Sequence, residues 1–168
     1  MNEFFRVSDQ VIPPKYATDG SSCFDICAYL PAEKHVQFKM SSNINFFRMV
    51  MNSHTVISPG ERALIPTGLH FNIHSGYELK LYSRSGIPWK HNITVHNGVG
   101  VIDSDYINEL FVMLQNHGSK TFIINHGDRI AQAQFVKILR KPLKETVIKP
   151  TQKTSRIGGF GSTGVNKL

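Results

Sequence analysis

Leu69-His70-Phe71-Asn72-Ile73-His74-Ser75-Gly76-Tyr77-Glu78-Leu79-Lys80-Leu81-Tyr82 is the stretch that decides the fold class. Leu69, Phe71 and Ile73 alternate with His70, Asn72 and His74, the period of two expected of a strand with one buried face. Ser75-Gly76 supplies turn chemistry, and Tyr77 to Tyr82 then returns as a second strand.

The same grammar repeats outward in both directions. Val11 to Tyr16 is extended, because Pro13 and Pro14 forbid a helix there. Thr18 to Ser22 is a turn, and Cys23 to Tyr29 reads as a strand with Phe24, Ile26 and Ala28 on one face and Asp25 on the other. Ser58-Pro59-Gly60-Glu61 turns the chain into Ala63 to Gly68. Beyond the central pair, Glu109 to Gln115 is nearly continuous apolar sequence, as expected of a strand covered on both faces. Asn116 to Ser119 and Asn125 to Asp128 are turns framing Thr121 to Ile124. Arg129 to Val136 closes the series, with Gln132 and Gln134 sharing a face. Short strands separated by turn signals every 8–12 residues or so indicate an all-β sandwich or barrel.

Two segments stand apart from this pattern. Residues 33–56 read as a partly apolar surface insertion. There Ser41-Ser42-Asn43 either caps a short helix carrying Ile44, Phe47 and Met51, or belongs to a strand and a loop. The β domain is expected over residues 1–140, and the Lys-, Pro- and Thr-rich residues 141–168 form an arm.

At 168 residues the chain is long enough for one domain with a real core. Its net charge of +7 favours polyanions. No run has the length of a membrane span and no signal-peptide pattern opens the chain, so the expected location is cytoplasmic, with no membrane partner. Nucleic acid is not an expected partner, since no recognition element is present. Cys23 and Cys27 read as reduced packing residues. The eight histidines show no metal-ligand spacing.

Four stretches carry chemistry. In Asn97-Gly98-Val99-Gly100-Val101-Ile102-Asp103-Ser104-Asp105-Tyr106, an Asn and two glycines open a tight hairpin and a short apolar strand follows. Asp103 and Asp105 alternate with Ser104, so on an extended chain both carboxylates project from one face. Ser83-Arg84-Ser85-Gly86 combines a planar guanidinium with a hydroxyl and adjacent backbone N–H groups, suited to an oxyanion. Gly127 to Gln132 turns into a strand whose Gln132 amide suits a phosphate. Gly159 to Gly164 spells G-x-G-x-x-G, but only four residues follow Gly164, so no helix completes a dinucleotide site. What remains there is a glycine-rich segment with an Arg, hydroxyls and Phe160, able to order around a phosphate and a base.

Taken in order, these stretches resemble the five motifs of the homotrimeric dUTPases. Ser22 to Ile26 is similar to the first, Ser83 to Ile87 to the second, Asn97 to Tyr106 to the third, Gly127 to Gln132 to the fourth and Gly158 to Gly164 to the fifth. The resemblance implies a jelly-roll-like fold and hydrolysis of dUTP to dUMP and pyrophosphate with Mg²⁺. It implies that Asp103 is the catalytic base toward water and that Asp25 holds the metal through a water. Arg84, Ser85, Gly86 and Gln132 would serve the phosphates. Asn97 and the backbone of Gly100, Val101 and Ile102 would read uracil, and Tyr106 would pack under the deoxyribose. Arg156, Phe160, Gly161 and Ser162 would close over the nucleotide from another subunit of a homotrimer.

Departures from the family pattern are Ser22-Cys23 in place of Ala-Gly, Asn108 in place of Gly, and Arg156 one residue nearer Gly158 than usual. Residues 33–56 have no counterpart in compact family members and offer a place for a protein partner. The competing readings are a dCTP deaminase of the same fold and a nucleotide-dependent regulatory or binding module.

Overall fold

The structure, a computed structural model, describes residues 2–155. In chain order its elements are β1 (Glu3–Arg6), β2 (Lys15–Tyr16), β3 (Phe24–Cys27), β4 (His35–Lys39), β5 (Asn45–Met49), β6 (His54–Ile57), β7 (Arg62–Pro66) and β8 (Leu69–Asn72). Then come β9 (Tyr77–Tyr82), α1 (Gly86–His91), β10 (Ile93–Val95), β11 (Val99–Ile102), β12 (Phe111–Asn116), β13 (Phe122–Asn125) and β14 (Arg129–Lys137). One five-stranded sheet runs β10-β12-β7-β4-β5 and the other β11-β9-β14-β3-β2, with β1-β8 and β13-β6 as two-stranded ribbons. All pairings are antiparallel. The all-β expectation holds, and a single apolar core joins the two sheets. Ile26, Leu79, Leu81 and Ala133 from one and Phe38, Ile65, Val112 and Leu114 from the other belong to the same buried cluster.

Local sequence accounts for most strands. Leu69, Phe71 and Ile73 are buried while His70, Asn72 and His74 are not, as the period of two requires. Phe24, Ile26 and Ala28 turn inward and leave Asp25 on the outer face of β3. After β14 the residues up to 155 form no strand or helix, and Leu139, Leu143, Val147 and Ile148 are all exposed.

Residues 33–56 depart from the surface-insertion expectation. They form β4, β5 and β6 with no helix, and β4 lies inside a sheet between β7 and β5. Val36, Phe38 and Val50 are core residues. The hairpin β4–β5 is fastened by Arg48, whose guanidinium donates to both carboxylate oxygens of Glu61 at 2.6 Å and lies over the rings of Phe38 and Phe46. Glu61 is only 6% exposed and also accepts the Ser58 N–H. Burial pushes its carboxyl up. The Arg48 hydrogen bonds, the Ser58 N–H and the Arg48 charge outweigh that and hold it below its ordinary value. Only alternate residues of β5 stay outside, and Phe47 and Met49 are exposed there.

Two further expectations need correction. Among the described residues β12 is not covered on both faces: Val112 and Leu114 are buried, Phe111 is exposed and Met113 is half-buried. Its apolar run therefore supplies an inner face and an outer row, Met113–Leu64–Gln37–Phe47, that crosses β12, β7, β4 and β5. Asn97-Gly98 does not join two paired strands. Gly98, at φ +72°, donates to Val95 O and Val99 to Asn97 O, but β10 pairs with β12 and β11 with β9. The turn is a corner that carries the chain from one sheet to the other. Among the described residues no helix is long and apolar enough to cross a membrane.

Candidate functional site

The register of one sheet lines up the polar residues of the site. Across it, Lys15 faces Asp25, Asp25 faces Gln132, Gln132 faces Tyr82 and Tyr82 faces Val99. Cross-strand partners point to the same side, so β3, β14 and β9 together present Asp25, Gln132 and Tyr82 outward. Asp25 meets two arginines from distant stretches: its Oδ1 lies 2.8 Å from Arg84 Nε and its Oδ2 3.2 Å from Arg129 Nη1. Arg84 Nη1 also donates to Arg129 O at 3.3 Å. Asp25 thus has both oxygens engaged, which removes the penalty of an unpaired charge.

Two more bonds shape the loop after β9. Gln132 Nε2 donates to Ser83 O at 3.0 Å, and Ser83 Oγ accepts the Val95 N–H at 2.8 Å. They set Ser83 and Arg84 at the rim, and Ser85 then leads into α1. These elements surround an open cleft of about 800 Å³. Ser22, Asp25, Arg84, Ser85, Gly86 and Gln132 all line it, so three of the stretches singled out in the sequence converge. Cys23 lines it as well, and burial pushes its thiol up. Burial and the nearby Asp25 charge do the same to Cys27.

The Asn97–Tyr106 stretch does not join this cleft; none of its residues lines it. It occupies β11, the edge strand, and the turn beyond. Gly100 is buried against Leu81, where an added Cβ would sit 3.1 Å from the Leu81 Cβ. Ile102 packs on the core, while Asn97, Val101, Asp103 and Tyr106 are exposed. The shared-face expectation for Asp103 and Asp105 lapses, because the pleat ends at Ile102 and Tyr106 N donates to Asp103 O at 3.2 Å in a turn. The Tyr106 hydroxyl donates to Glu109 O at 2.9 Å. Arg156, Phe160, Gly161 and Ser162 lie outside the described residues.

Sequence reasoning missed three cleft residues, Arg129, Lys90 and His91. Arg129 was legible as the charged residue opening the strand after Gly127-Asp128, and its geometry makes it a partner of Asp25. Lys90 and His91 end α1, a six-residue helix with no buried residue and hence no apolar stripe. A serine followed by a proline in the first turn, Ser85 and Pro88, was the available signal.

Among the described residues no group of three or more His, Cys, Asp or Glu side chains is placed to hold a metal ion. Asp25 is the one carboxylate lining the cleft. Such a donor set does not make a protein-built cage. It fits a Mg²⁺ that arrives with several phosphate oxygens and waters of its own.

Comparison with known proteins is consistent with this geometry. The dUTPase family model matches residues 41–164. The deoxyuridine 5'-triphosphate nucleotidohydrolase of Chlamydia trachomatis is 37% identical over 164 residues, 98% of this chain and 99% of that protein. That of Bartonella henselae is 39% identical over 157 residues, 90% of this chain and 75% of that protein. Among solved structures, a Staphylococcus bacteriophage 80alpha dUTPase with dUpNHpp aligns with a TM-score of 0.76 and 21% identity, covering 98% of this chain and 99% of that one. A variant dUTPase of phage phi11 of S. aureus, which coordinates a structural Mg(II) ion, aligns with a TM-score of 0.68 and 21% identity, over 88% of this chain and 97% of that one. At such identity these two likenesses speak for the fold alone. The family match and the near full-length relatives speak for more, and on them the chain belongs to the dUTPase family.

Proposed function

We propose that this chain hydrolyses dUTP to dUMP and pyrophosphate, removing dUTP and supplying dUMP. The observation that carries the proposal is the convergence of Asp25, Arg84, Ser85 and Gln132 on one cleft in a chain of this family. Three permanent cations against one carboxylate make the cleft a site for a highly charged anion. Ser85 and Gln132 orient the phosphates, and Arg84 is kept in place by Asp25. Bound Mg²⁺ would neutralise charge on the triphosphate, with Asp25 holding it through a water. Asp103 takes the proton from the attacking water, a role worth ~10²–10⁴-fold for a well-placed base. Asn97 and the backbone of Gly100, Val101 and Ile102 bind uracil. Tyr106 lies against the deoxyribose, and Arg156, Phe160, Gly161 and Ser162 close the site.

These roles need more than one copy. Asn97, Asp103 and Tyr106 are exposed and apart from the cleft their own chain builds, which supports a homotrimer with sites shared between subunits. Pyrophosphate release from dUTP, dCTP, dTTP and UTP, each supplied with Mg²⁺, tests the proposal. Release from dUTP alone is expected; no release from dUTP overturns it.

One observation favours a second role. Ile44, Phe47, Met49 and Met51 are exposed on and beside the edge strand β5, a surface suited to a protein partner.

A further inference from the structure

We propose that Lys90 binds the polyphosphate chain directly, as the cation the cleft keeps in reserve for its ligand. The role rests on the nucleotide reading of the site and adds a residue to it. Lys90 lines the cleft with Arg84 and Arg129, but the three are not equivalent. Both arginines are committed to Asp25, at 2.8 and 3.2 Å. Lys90 makes no ion pair or side-chain hydrogen bond among the described residues, and the cleft lining offers no second carboxylate to pair with it. An ammonium left unmatched beside two hydroxyl-bearing loops, Ser21-Ser22 and Ser85, is the strongest free donor the cleft can offer an oxyanion.

The backbone that carries Lys90 is held from three sides. Asn92, at φ +54°, ends the helix by donating its N–H to Pro88 O at 3.0 Å, and its own carbonyl accepts the His117 N–H at 2.9 Å. The His91 ring packs 5.1 Å from the Phe122 ring. Binding therefore has only the Lys90 side chain left to order, while its Cα is fixed by the β12–β13 connection. A surface lysine at the end of a helix would normally be solvated and without consequence. Here the surplus of cations over carboxylates and the paired state of both arginines give it a ligand class, an inorganic or nucleoside polyphosphate.

The test uses the full chain and two probes, inorganic pyrophosphate and dUTP. Isothermal titration calorimetry reads the binding of pyrophosphate directly. Lys90→Ala is expected to weaken pyrophosphate binding about tenfold and raise the KM for dUTP by a similar factor, because a hydrogen bond to a charged group is lost. Its kcat should stay within about twofold of the parent, since ground-state and transition-state binding fall together. Lys90→Arg should restore most of both, and the melting temperature of Lys90→Ala should not move, since the exposed Lys90 side chain makes no ion pair or hydrogen bond among the described residues. Unchanged pyrophosphate binding in Lys90→Ala overturns the role. A parent chain that binds pyrophosphate through Lys90 yet releases none from dUTP upholds the site and overturns the hydrolysis instead.

Discussion

Asp25 and Asp103 belong to one proposed reaction, yet their surroundings have little in common. Asp25 sits in the middle of a sheet with one oxygen on Arg84 and the other on Arg129, residues 59 and 104 positions away in sequence. Asp103 sits just past an edge strand, exposed, with its main-chain carbonyl closing a turn. The first is organised by long-range pairing inside one chain. The second has an exposed side chain, and only its main-chain carbonyl is engaged in the turn. The comparison teaches that two acids of one proposed site can be held by different parts of the fold, one by long-range pairing and one by a local turn. The cation-rich half is held by ion pairs within one chain, whereas the proposed base stands apart from it, exposed just past an edge strand.

The largest expected effect comes from splitting these halves. Asp103→Asn should fold normally, bind dUTP and lose turnover by ~10²–10⁴-fold. Gln132→Ala should lose activity from the other side, by loosening the loop that Gln132 holds at Ser83. Co-assembling the two variants should give more dUTP hydrolysis than the sum of each alone, because some sites then combine an intact cleft with an intact Asp103. Absence of any recovery would place both halves on one chain.

A second contrast, between the β4–β5 hairpin and the active cleft, predicts loss of stability without loss of chemistry. Arg48→Ala leaves Glu61 buried and unpaired, which should cost about 3 kcal/mol. A thermal melt should fall by roughly 6–12 °C for a chain of this size, with turnover per folded molecule unchanged. Acid reads the same pair. The carboxyl of Glu61 lies lower in the folded chain than in the unfolded one, so its contribution is complete above the unfolded value, about 4.3. It is lost as pH falls through the lower folded value. An acid melt in which the gap between Arg48→Ala and the parent narrows as pH falls below about 4.3 is the expected outcome.

The smallest effect sharpens the seam between the halves. Gly100→Ala introduces a Cβ 3.1 Å from that of Leu81, where β11 leans on β9. The neighbour must give slightly, and about 1 kcal/mol of stability should be lost, read as a melting point roughly 2–4 °C lower. No change would mean that β11 is packed more loosely than its register suggests.

Much of this was legible in the residues. Leu69 to Tyr82 declares two strands and a turn, because alternation and turn chemistry are local. Asp25, Arg84, Ser85 and Gln132 were recognisable one by one, Asp25 and Gln132 on the outer face of strands and Arg84 and Ser85 between β9 and α1. Other parts were not, for identifiable reasons. α1 buries nothing, so it leaves no periodic trace. Nothing local to Arg48 marks its partner Glu61, thirteen residues on. Asn97-Gly98 has hairpin chemistry, but whether the flanking strands pair with each other depends on β12 and β9, not on the turn.

The sequence alone was therefore sufficient for most strands and turns outside residues 33–56, the all-β class and the five stretches that signal the family. Tertiary structure decided which of those stretches meet. Alternation, turn preference and proline act over a few residues and are written where they act. The meeting of Asp25 with Arg84 and Arg129, the inward turn of Arg48 and the separation of Asp103 from the cleft depend on which strands become neighbours. That choice is made by burial of a shared core across the whole chain, which no single stretch records.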